Sequence, residues 1–245
     1  MVQPLLSLKN IKKKYGSFEA LKGVSLDFYP GEVVGLLGVN GAGKTTLSSI
    51  IATLHPPTSG EVAYNGHSIA NDIPAFRKLI GYCPQKPNLN PLLTIYDNLW
   101  FAGKYYGMSN QEIENRIKEL NTHLGINKFL HSYSDQLSGG WKQRYMIART
   151  LMHSPKIVIL DEPTVGLDPD IRQQLWQYIT FLKKSGVCVL LTTHYLDEAE
   201  KLSDRVVVLH QGKISLIDTP QNLMTSFQKG KLEDVFLELT KEQKD

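Results

Sequence analysis

The sequence contains a glycine-rich segment whose residue types and spacing suit phosphate binding. Residues 38–45, Gly-Val-Asn-Gly-Ala-Gly-Lys-Thr, fit the pattern G-x-x-x-x-G-K-[ST] directly after the apolar run EVVGLL. Gly38 and Gly43 allow backbone turns that direct amide N–H groups towards an anion. Lys44 supplies a positive charge for β- and γ-phosphates, and the Thr45 hydroxyl is a ligand for Mg²⁺. The segment therefore predicts a nucleotide-phosphate site.

Two adjacent acidic residues, Asp161 and Glu162, follow the apolar run KIVIL. In a doubly wound sheet the carboxyl ends of parallel strands share one edge, and ligands bind there. We therefore expect Asp161 to reach the Mg²⁺ ion. Because Glu162 precedes Pro163, we expect an extended backbone that projects its carboxylate beyond the strand as a base for an attacking water. Capping of the next segment is the alternative explanation for the pair.

Three further polar residues stand at predicted strand ends or in loops. His194 follows the run VCVLLTT, and we expect it to bond the γ-phosphate or the attacking water; a structural role is the alternative. Gln85 lies between prolines in CPQKPN, where it is either solvated or part of the site. Asp168 precedes Pro169, a pair that typically opens a helix, so Asp168 is expected to be a helix cap whatever else it does.

A second stretch has the features of an anion site. Residues 137–144, Leu-Ser-Gly-Gly-Trp-Lys-Gln-Arg, look like the start of a helix that Ser138 caps, with two glycines that expose backbone amides. Such an end attracts anions, since the first amides lack partners and the helix dipole adds positive potential. A single phosphate-binding loop does not explain why the chain carries two such stretches.

Short β-branched runs alternate with helical patterns along the chain. The runs EVVGLL, KIVIL, VCVLLTT and RVVVL are continuous rather than alternating, which is typical of strands buried on both faces. Helices are predicted to begin at about Gly43, at Asp168-Pro169 and at Thr193. The first 30 residues and GEVAYNG favour antiparallel strands. The predicted fold class is α/β, with a P-loop core, a mainly parallel sheet and an antiparallel N-terminal β subdomain.

Residues 88–150 differ from this pattern, because they lack strong strand runs. Helix starts are indicated by Thr94-x-x-Asp97 and by Ser109-x-x-Glu112, both of which are similar to capping boxes. We therefore predict an α-helical lobe that is inserted between strands of the sheet.

One domain is predicted for the whole chain, with three parts. These are a core of residues 1–87 and 151–218, the helical lobe of residues 88–150, and a helical tail of residues 219–245. In the tail, Thr219-Pro220 is expected to open one helix. The segment LEDVFLEL places four apolar residues on one helix face, for packing on the body or for contact with a partner: Leu232, Val235, Phe236 and Leu239.

Composition limits the classes of function. The 245 residues are 42% hydrophobic, which is enough for a sizeable core, and the net charge of +3 is too small to indicate nucleic-acid or membrane binding by charge alone. Cys83 and Cys188 lie far apart in apolar surroundings, which favours a reducing compartment over a disulfide framework. The apolar runs are shorter than the roughly 20 residues of a membrane span. Without an evident signal segment, a membrane process would need another chain.

Together, the motifs resemble those of ATP-binding cassette (ABC) ATPases, in the family's order, over about residues 5–217. The resemblance identifies residues 38–45 as Walker A, Gln85 as the Q-loop glutamine, 137–141 as the signature, 157–161 as Walker B and 166–168 as the D-loop. It implies hydrolysis of ATP with Mg²⁺. The implied catalytic residues are Glu162, His194 and Gln85, and the implied Mg²⁺ ligands are Thr45, Gln85 and Asp161. The implied ATP contacts are Tyr15, Gly38, Asn40, Gly41, Gly43, Lys44, Thr45, Thr46, Ser138, Gly139, Gly140 and Asp168.

Tyr15 resembles the aromatic residue that stacks on adenine in this family. By residue type alone it is equally well explained as a core aromatic. A ring stacked on the base contributes about 1 kcal/mol.

The family resemblance also explains the two anion-binding stretches. Members pair head to tail, and each ATP lies between the Walker A loop of one chain and the signature of the other. By this resemblance, Ser138 and Gly140 contact a γ-phosphate that the partner's Lys44 holds, because burying so anionic a group needs donors from several sides. The implied partners are an identical or related cassette and a separate transmembrane permease, which docks at the helical lobe and Gln85 loop. No nucleic acid is expected.

The short tail, SGGWKQR and LEDVFLEL resemble bacterial exporter-type ATPases, which serve drug, lipid or polysaccharide efflux. That resemblance places the chain in the cytoplasm, on the inner face of the cell membrane. The fifth signature residue departs from the usual glutamine, since it is Trp141. This departure puts in doubt a contact near the ribose, and packing under the helix start or at the dimer seam is the alternative role for the ring.

Other functional classes remain possible at the level of sequence. A soluble ABC-type ATPase without a permease usually carries a coiled-coil insertion, zinc sites or a second cassette. A nucleotide-regulated scaffold would not need Lys44, Asp161, Glu162 and His194 together. A nucleotide kinase or GTPase shares Walker A but does not explain residues 137–141.

Overall fold

The structure is a computed structural model that describes residues 3–242. Residues 1, 2 and 243–245, which the predicted domain includes, lie outside the described residues. The strands in chain order are β1 (Leu6–Tyr15), β2 (Phe18–Phe28), β3 (Val33–Leu37), β4 (Ser59–Tyr64), β5 (His67–Ser68), β6 (Ile80–Cys83), β7 (Ile157–Asp161), β8 (Cys188–Thr192), β9 (Arg205–His210) and β10 (Lys213–Asp218).

Helices connect most of these strands. In chain order they are α1 (Lys44–Ile51), α2 (Ile73–Arg77), α3 (Ile95–Tyr105), α4 (Asn110–Leu124), α5 (Gly139–Thr150), α6 (Pro169–Lys184), α7 (Leu196–Leu202), α8 (Pro220–Ser226) and α9 (Leu232–Glu242). The helix starts predicted near Gly43 and at Asp168-Pro169 are confirmed.

The N-terminal strands form an antiparallel sheet with the strand order β2-β1-β4-β5. Leu6 on the inner strand β1 lies opposite Phe28 on one side and Tyr64 on the other. The predicted antiparallel β subdomain is confirmed.

The second sheet has the order β10-β9-β3-β8-β7-β6, and every neighbouring pair except β10–β9 is parallel. Its strands β3, β7, β8 and β9 match the four predicted apolar runs. The sequence did not indicate β6, because its run IGYC is short and contains a glycine. The predicted mainly parallel sheet is confirmed.

Both faces of the parallel sheet are covered, which explains why β3, β7, β8 and β9 are apolar along most of their length. On β7, Ile157 and Ile159 face a core shared with α1 and the antiparallel sheet. Val158 and Leu160 alternate with them and face a core shared with α3–α6. The alternation leaves the strand ends as the place where polar side chains emerge.

The helices between residues 88 and 150 begin at the predicted caps. The Thr94 hydroxyl accepts a hydrogen bond from the Asp97 amide at 3.1 Å. Ser109 and Glu112 form a complete capping box at the start of α4. These helices pack on one another and on α6 through fully buried side chains that include Leu99, Leu120 and Tyr145.

The helix predicted to start at Thr193 is displaced. It begins at Leu196 with Tyr195 as its N-cap, because the Thr193 hydroxyl accepts the Tyr195 amide in a tight turn at 3.0 Å. The predicted start at Thr193 is therefore wrong by three residues.

The tail helices pack on the body of the protein. Thr219 caps α8 through its hydroxyl, which accepts the Asn222 amide at 3.1 Å. The predicted apolar face of α9 is confirmed, since its residues join a core with Val206 and Val208 of β9. Those residues are Leu232, Val235, Phe236 and Leu239.

Candidate nucleotide site

The phosphate loop connects β3 to α1 at the carboxyl edge of the parallel sheet. Gly38, Gly41 and Gly43 have positive φ angles of 155°, 82° and 108°. Residues with a Cβ rarely adopt such values. A Cβ on Gly43 would lie 2.8 Å from the Ala20 carbonyl oxygen and 2.9 Å from Leu21 Cδ2. Glycine is therefore required at Gly43 by both conformation and space.

The helix after this loop starts with backbone amides that no side chain caps. Gly43 is the N-cap of α1, and Lys44 is the first helical residue. The amides of the first turn are therefore available to an anion. Four other predicted ATP contacts lie on this segment. Asn40, Gly41 and Thr45 are exposed, and Thr46 is half-buried.

The Lys44 ammonium group lies over its own loop. Its Nζ atom donates to the carbonyl oxygens of Gly38 at 2.6 Å and Val39 at 3.3 Å. Burial lowers the pKa of Lys44, while the charges of Glu162 and Asp161 act in the opposite direction. Lys44 is 8% exposed, and a cation removed from water attracts a phosphate group more strongly than an exposed one does.

Three predicted catalytic side chains meet where β6, β7 and β8 end. The Gln85 Nε2 atom donates to Glu162 Oε2 at 2.6 Å. The same carboxylate oxygen lies 3.5 Å from His194 Nδ1. Because these strands are parallel neighbours, residues that are 77 and 32 positions apart along the chain converge on one carboxylate.

The backbone of Glu162 differs from its predicted extended conformation. Its φ angle is 51°, in the left-handed region. In this conformation the Glu162 amide donates to the carbonyl and hydroxyl oxygens of Thr192 on the neighbouring strand, both at 3.0 Å. The prediction from Pro163 was wrong because these two bonds hold Glu162 in a turn. The turn directs the carboxylate to Gln85 and His194.

Asp161 is a buried carboxylate at the last position of β7, with 3% of its surface exposed. The Thr192 hydroxyl donates to its Oδ1 atom, and the Tyr82 hydroxyl lies 3.5 Å from Oδ2. Burial raises the pKa of Asp161, although the Thr192 bond and the charge of Lys44 oppose this shift. Burial, with the Asp161 charge, also raises the pKa of Tyr82 to about 12, so that hydroxyl stays a donor.

The second anion-binding stretch forms the exposed start of α5. Ser138 occupies the N-cap position, as predicted, but its side chain makes no capping bond. The first bond of the helix runs from the Lys142 amide to the Ser138 carbonyl at 3.0 Å. Ser138 and Gly139 are exposed and Gly140 is half-buried. The predicted side-chain cap is therefore wrong, and the hydroxyl and first amides are available to a ligand.

Comparison with known proteins decides the family. Residues 21–165 match a family model described as ABC transporter. The chain belongs to the ABC transporter family. As an ABC ATPase, it binds and hydrolyses ATP, so the predicted fold class and activity are confirmed.

Two curated bacterial relatives cover most of this ABC cassette. The linearmycin resistance ATP-binding protein LnrL of Bacillus subtilis is 39% identical over 219 residues, which are 89% of this chain and 70% of the relative. The Nod factor export ATP-binding protein I of Cupriavidus metallidurans is 35% identical over 222 residues, 91% of this chain and 73% of the relative.

Solved structures agree with the family. A structure described as the ATP binding subunit of an ABC transporter has a TM-score of 0.89 and 33% identity, covering 96% of this cassette and 99% of that chain. A dimeric cassette in a post-hydrolysis state with ADP and Pi has a TM-score of 0.80 and 32% identity, and the match covers 87% of this cassette and 98% of that chain.

The unusual signature residue of this cassette packs within its own chain. Trp141 contacts Phe129 edge to face, with ring centroids 5.0 Å apart. It also stacks on Tyr145 and lies 4.6 Å from the Arg144 guanidinium carbon. These contacts agree with the predicted packing beneath the helix start, and the placement at the dimer seam stays a prediction.

Two further residues of the predicted ATP site lie at the surface of the cassette. Tyr15 at the end of β1 is 46% exposed, with Lys13 Nζ 5.2 Å from its ring centroid. The alternative of a core aromatic is therefore wrong. Asp168 is the N-cap of α6, as predicted, but its exposed side chain makes no capping bond.

Sequence reasoning missed two residues that hold the Walker B carboxylates of this cassette. Thr192 binds both Asp161 and the Glu162 amide, and Tyr82 faces Asp161. The available signal was a threonine at the end of the run VCVLLTT, in parallel register with Asp161. The threonine predicts a contact with Asp161 only when β7 and β8 are known to be neighbours.

Among residues 3–242, no three His, Cys, Asp or Glu side chains gather as a metal-binding group. In the same part of the chain, no helix combines the length and apolar composition needed to cross a bilayer.

Proposed function

We propose that this cassette drives a separate membrane-embedded permease, and that the assembly exports its substrate. The relatives support this, since their names state linearmycin resistance and Nod factor export. The proposed location is the cytoplasmic face of the cell membrane, where the permease would hold the cassette.

The observation that carries the proposal is the exposed start of α5. Ser138 makes no capping bond and the first helical amides have no intrahelical partner, although the chain has another phosphate loop at Lys44. We propose that these donors complete the ATP site of a second, identical or related cassette in a head-to-tail pair. The dimeric structural neighbour with ADP and Pi supports this arrangement.

In the proposed mechanism, Glu162 positions and polarises the water that attacks the γ-phosphate in line. Its Oε2 atom accepts from Gln85 at 2.6 Å and lies 3.5 Å from His194 Nδ1, so both side chains fix the carboxylate. Lys44 would leave its own loop carbonyls and neutralise charge on the phosphates. Catalysis of phosphoryl transfer is mostly positioning and charge stabilisation of this kind.

The proposed Mg²⁺ site consists of Thr45, Gln85 and Asp161. Their hydroxyl, amide and carboxylate oxygens are hard donors of the type that Mg²⁺ prefers, and Mg²⁺ usually keeps several waters and phosphate oxygens as its other ligands. When bound, the ion supplies positive charge to the β- and γ-phosphates. The Thr192 hydroxyl holds Asp161 Oδ1, which orients the carboxylate.

A groove between β6 and the helices α3 and α5 is the proposed docking place of the permease. Its cavity has a volume of about 630 Å³ and exposes Phe101 and Tyr105, which are 51% and 78% exposed. Arg149 also lines it and donates to the Asn88 carbonyl in the segment after Gln85. We propose that residues 88–150 move as a lobe and carry force from this groove to the ATP site.

The proposal predicts that a substitution in the groove weakens binding between the cassette and its permease. The tagged cassette, purified from detergent-solubilised membranes of its own cells, should bring a polytopic chain with it. Tyr105→Ser should reduce that recovery at least several-fold and leave phosphate release by the isolated cassette unchanged.

Leu54→Ser is the matched control, because Leu54 is 55% exposed and lies outside the groove, the Gln85 loop and residues 88–150. It should recover the polytopic chain as the wild type does. Recovery that is equal for all three proteins would contradict the docking site, and a cassette that purifies without any polytopic chain would contradict the permease.

A further inference from the structure

A carboxylate outside the proposed catalytic set is completely buried. Glu198, in the first turn of α7, has 0% of its surface exposed. Its Oε1 atom accepts from Trp176 Nε1 at 2.8 Å, and its Oε2 atom accepts from the Thr164 hydroxyl at 3.1 Å. The Thr193 hydroxyl also bonds to the carboxylate. Three donors therefore satisfy a carboxylate that has no access to water.

These donors come from three separate segments of the chain. Thr164 lies two residues after Glu162, Thr193 directly precedes His194, and Trp176 belongs to α6. Thr164 and Thr193 are each 1% exposed, so neither hydroxyl can exchange this bond for bulk water without local opening. One carboxylate therefore connects the turn that carries Glu162 with the turn that carries His194.

We propose that Glu198 is a positioning residue for ATP hydrolysis, which sets the separation of Glu162 and His194. The inference rests on the roles proposed above for those two side chains. Both follow strand ends, and the Glu162 backbone is in the left-handed region. Glu198 accepts hydrogen bonds from both turns. If either turn moved alone, its bond to the buried carboxylate would break and no water could replace it, so the two turns resist independent movement.

The buried carboxylate and its three donors depend on one another. Burial raises the pKa of Glu198, and the bonds from Thr193, Trp176 and Thr164 oppose that shift. An apolar side chain at this position would leave these three donors buried without an acceptor, which destabilises the fold. The carboxylate therefore holds the two turns together through bonds that neither turn can replace.

The test compares two substitutions at Thr164 that differ in the hydroxyl group. Thr164→Val keeps the shape and removes the bond to Glu198, whereas Thr164→Ser keeps the bond. We expect Thr164→Val to lower kcat for MgATP hydrolysis by about tenfold, which is about 1.4 kcal/mol of barrier, with KM changed by less than about twofold. Thr164→Ser should restore most of kcat.

Two further variants complete the test. Thr180→Val is the control, because the Thr180 hydroxyl bonds only its own helix at the Trp176 carbonyl, 2.9 Å away; it should leave kcat unchanged. Glu198→Gln should also lower kcat. In the double variant with Thr164→Val, the increase in activation free energy should be smaller than the sum of the increases in the two single variants. If Glu198→Gln fails to fold, the Thr164 pair still decides the question.

Three results would overturn the inference. These are a kcat for Thr164→Val equal to that of Thr180→Val, a rise in KM with kcat unchanged, and a Thr164→Ser variant as slow as Thr164→Val. A different result would contradict the proposed catalytic role of Glu162, namely hydrolysis of ATP by Glu162→Gln at the wild-type rate. An inactive Glu162→Gln beside a fully active Thr164→Val would overturn the role of Glu198 alone.

Discussion

Replacing Gly43 with alanine tests the geometry of the phosphate loop. The φ angle of Gly43 is 108°, and a Cβ there would lie 2.8 Å from the Ala20 carbonyl oxygen, a backbone atom of β2. The left-handed backbone costs an alanine roughly 1–2 kcal/mol, and overpacking typically costs about 1–3 kcal/mol more. The expected loss of unfolding free energy is therefore roughly 2–5 kcal/mol.

Gly41→Ala is the matched control for this substitution. Gly41 has a φ angle of 82° in the same loop, but a Cβ there would meet nothing within 4 Å. Only the conformational cost of roughly 1–2 kcal/mol then applies.

Thermal unfolding without nucleotide measures the difference between the two variants. In a chain of this size 1 kcal/mol changes Tm by about 2–4 °C. Gly43→Ala should therefore lower Tm by about 4–20 °C, and Gly41→Ala by about 2–8 °C. Equal Tm values for the two variants would refute the packing of Gly43 against β2.

Two other substitutions have defined outcomes. Trp141→Gln should lower Tm, because aromatic pairing such as that with Phe129 is worth about 0.5–1.5 kcal/mol, yet change kcat by less than about tenfold; a hundredfold change in phosphate release would contradict this. Asp161→Asn should raise the Tm of the nucleotide-free protein at pH 7. Burial raises the pKa of Asp161, so its ionised form destabilises the fold above that pKa, and the gain should vanish as the pH falls towards about 4. A Tm at pH 7 no higher than that of the wild type would show that Lys44 and Thr192 outweigh burial.

The parallel core was predictable because its strands are apolar on both faces. The runs EVVGLL, KIVIL, VCVLLTT and RVVVL stand out as continuous apolar segments between polar loops. The phosphate loop was predictable for a different reason, since positive φ angles admit few residues besides glycine. In both cases the local sequence is sufficient to specify the local structure.

The sequence did not specify contacts that depend on which strands are neighbours. Thr192 turns the Glu162 backbone to a φ of 51° only because β8 lies beside β7. Glu162 and Thr192 lie 30 positions apart along the chain, beyond the reach of a local pattern. The start of α7 moved from Thr193 to Leu196 because the Thr193 hydroxyl accepts the Tyr195 amide in a tight turn, a local contact that the helix pattern does not distinguish from a cap.

The central claim is that two cassettes close on ATP, with Ser138 of each chain completing the site at the partner's Lys44. Glu162→Gln tests it most directly, because the amide keeps the shape of the side chain and removes the base. In saturating MgATP, light scattering after gel filtration should show a stable dimer with ATP retained, whereas the wild type returns to monomer as it hydrolyses ATP. A Glu162→Gln protein that binds MgATP and remains monomeric would contradict the account.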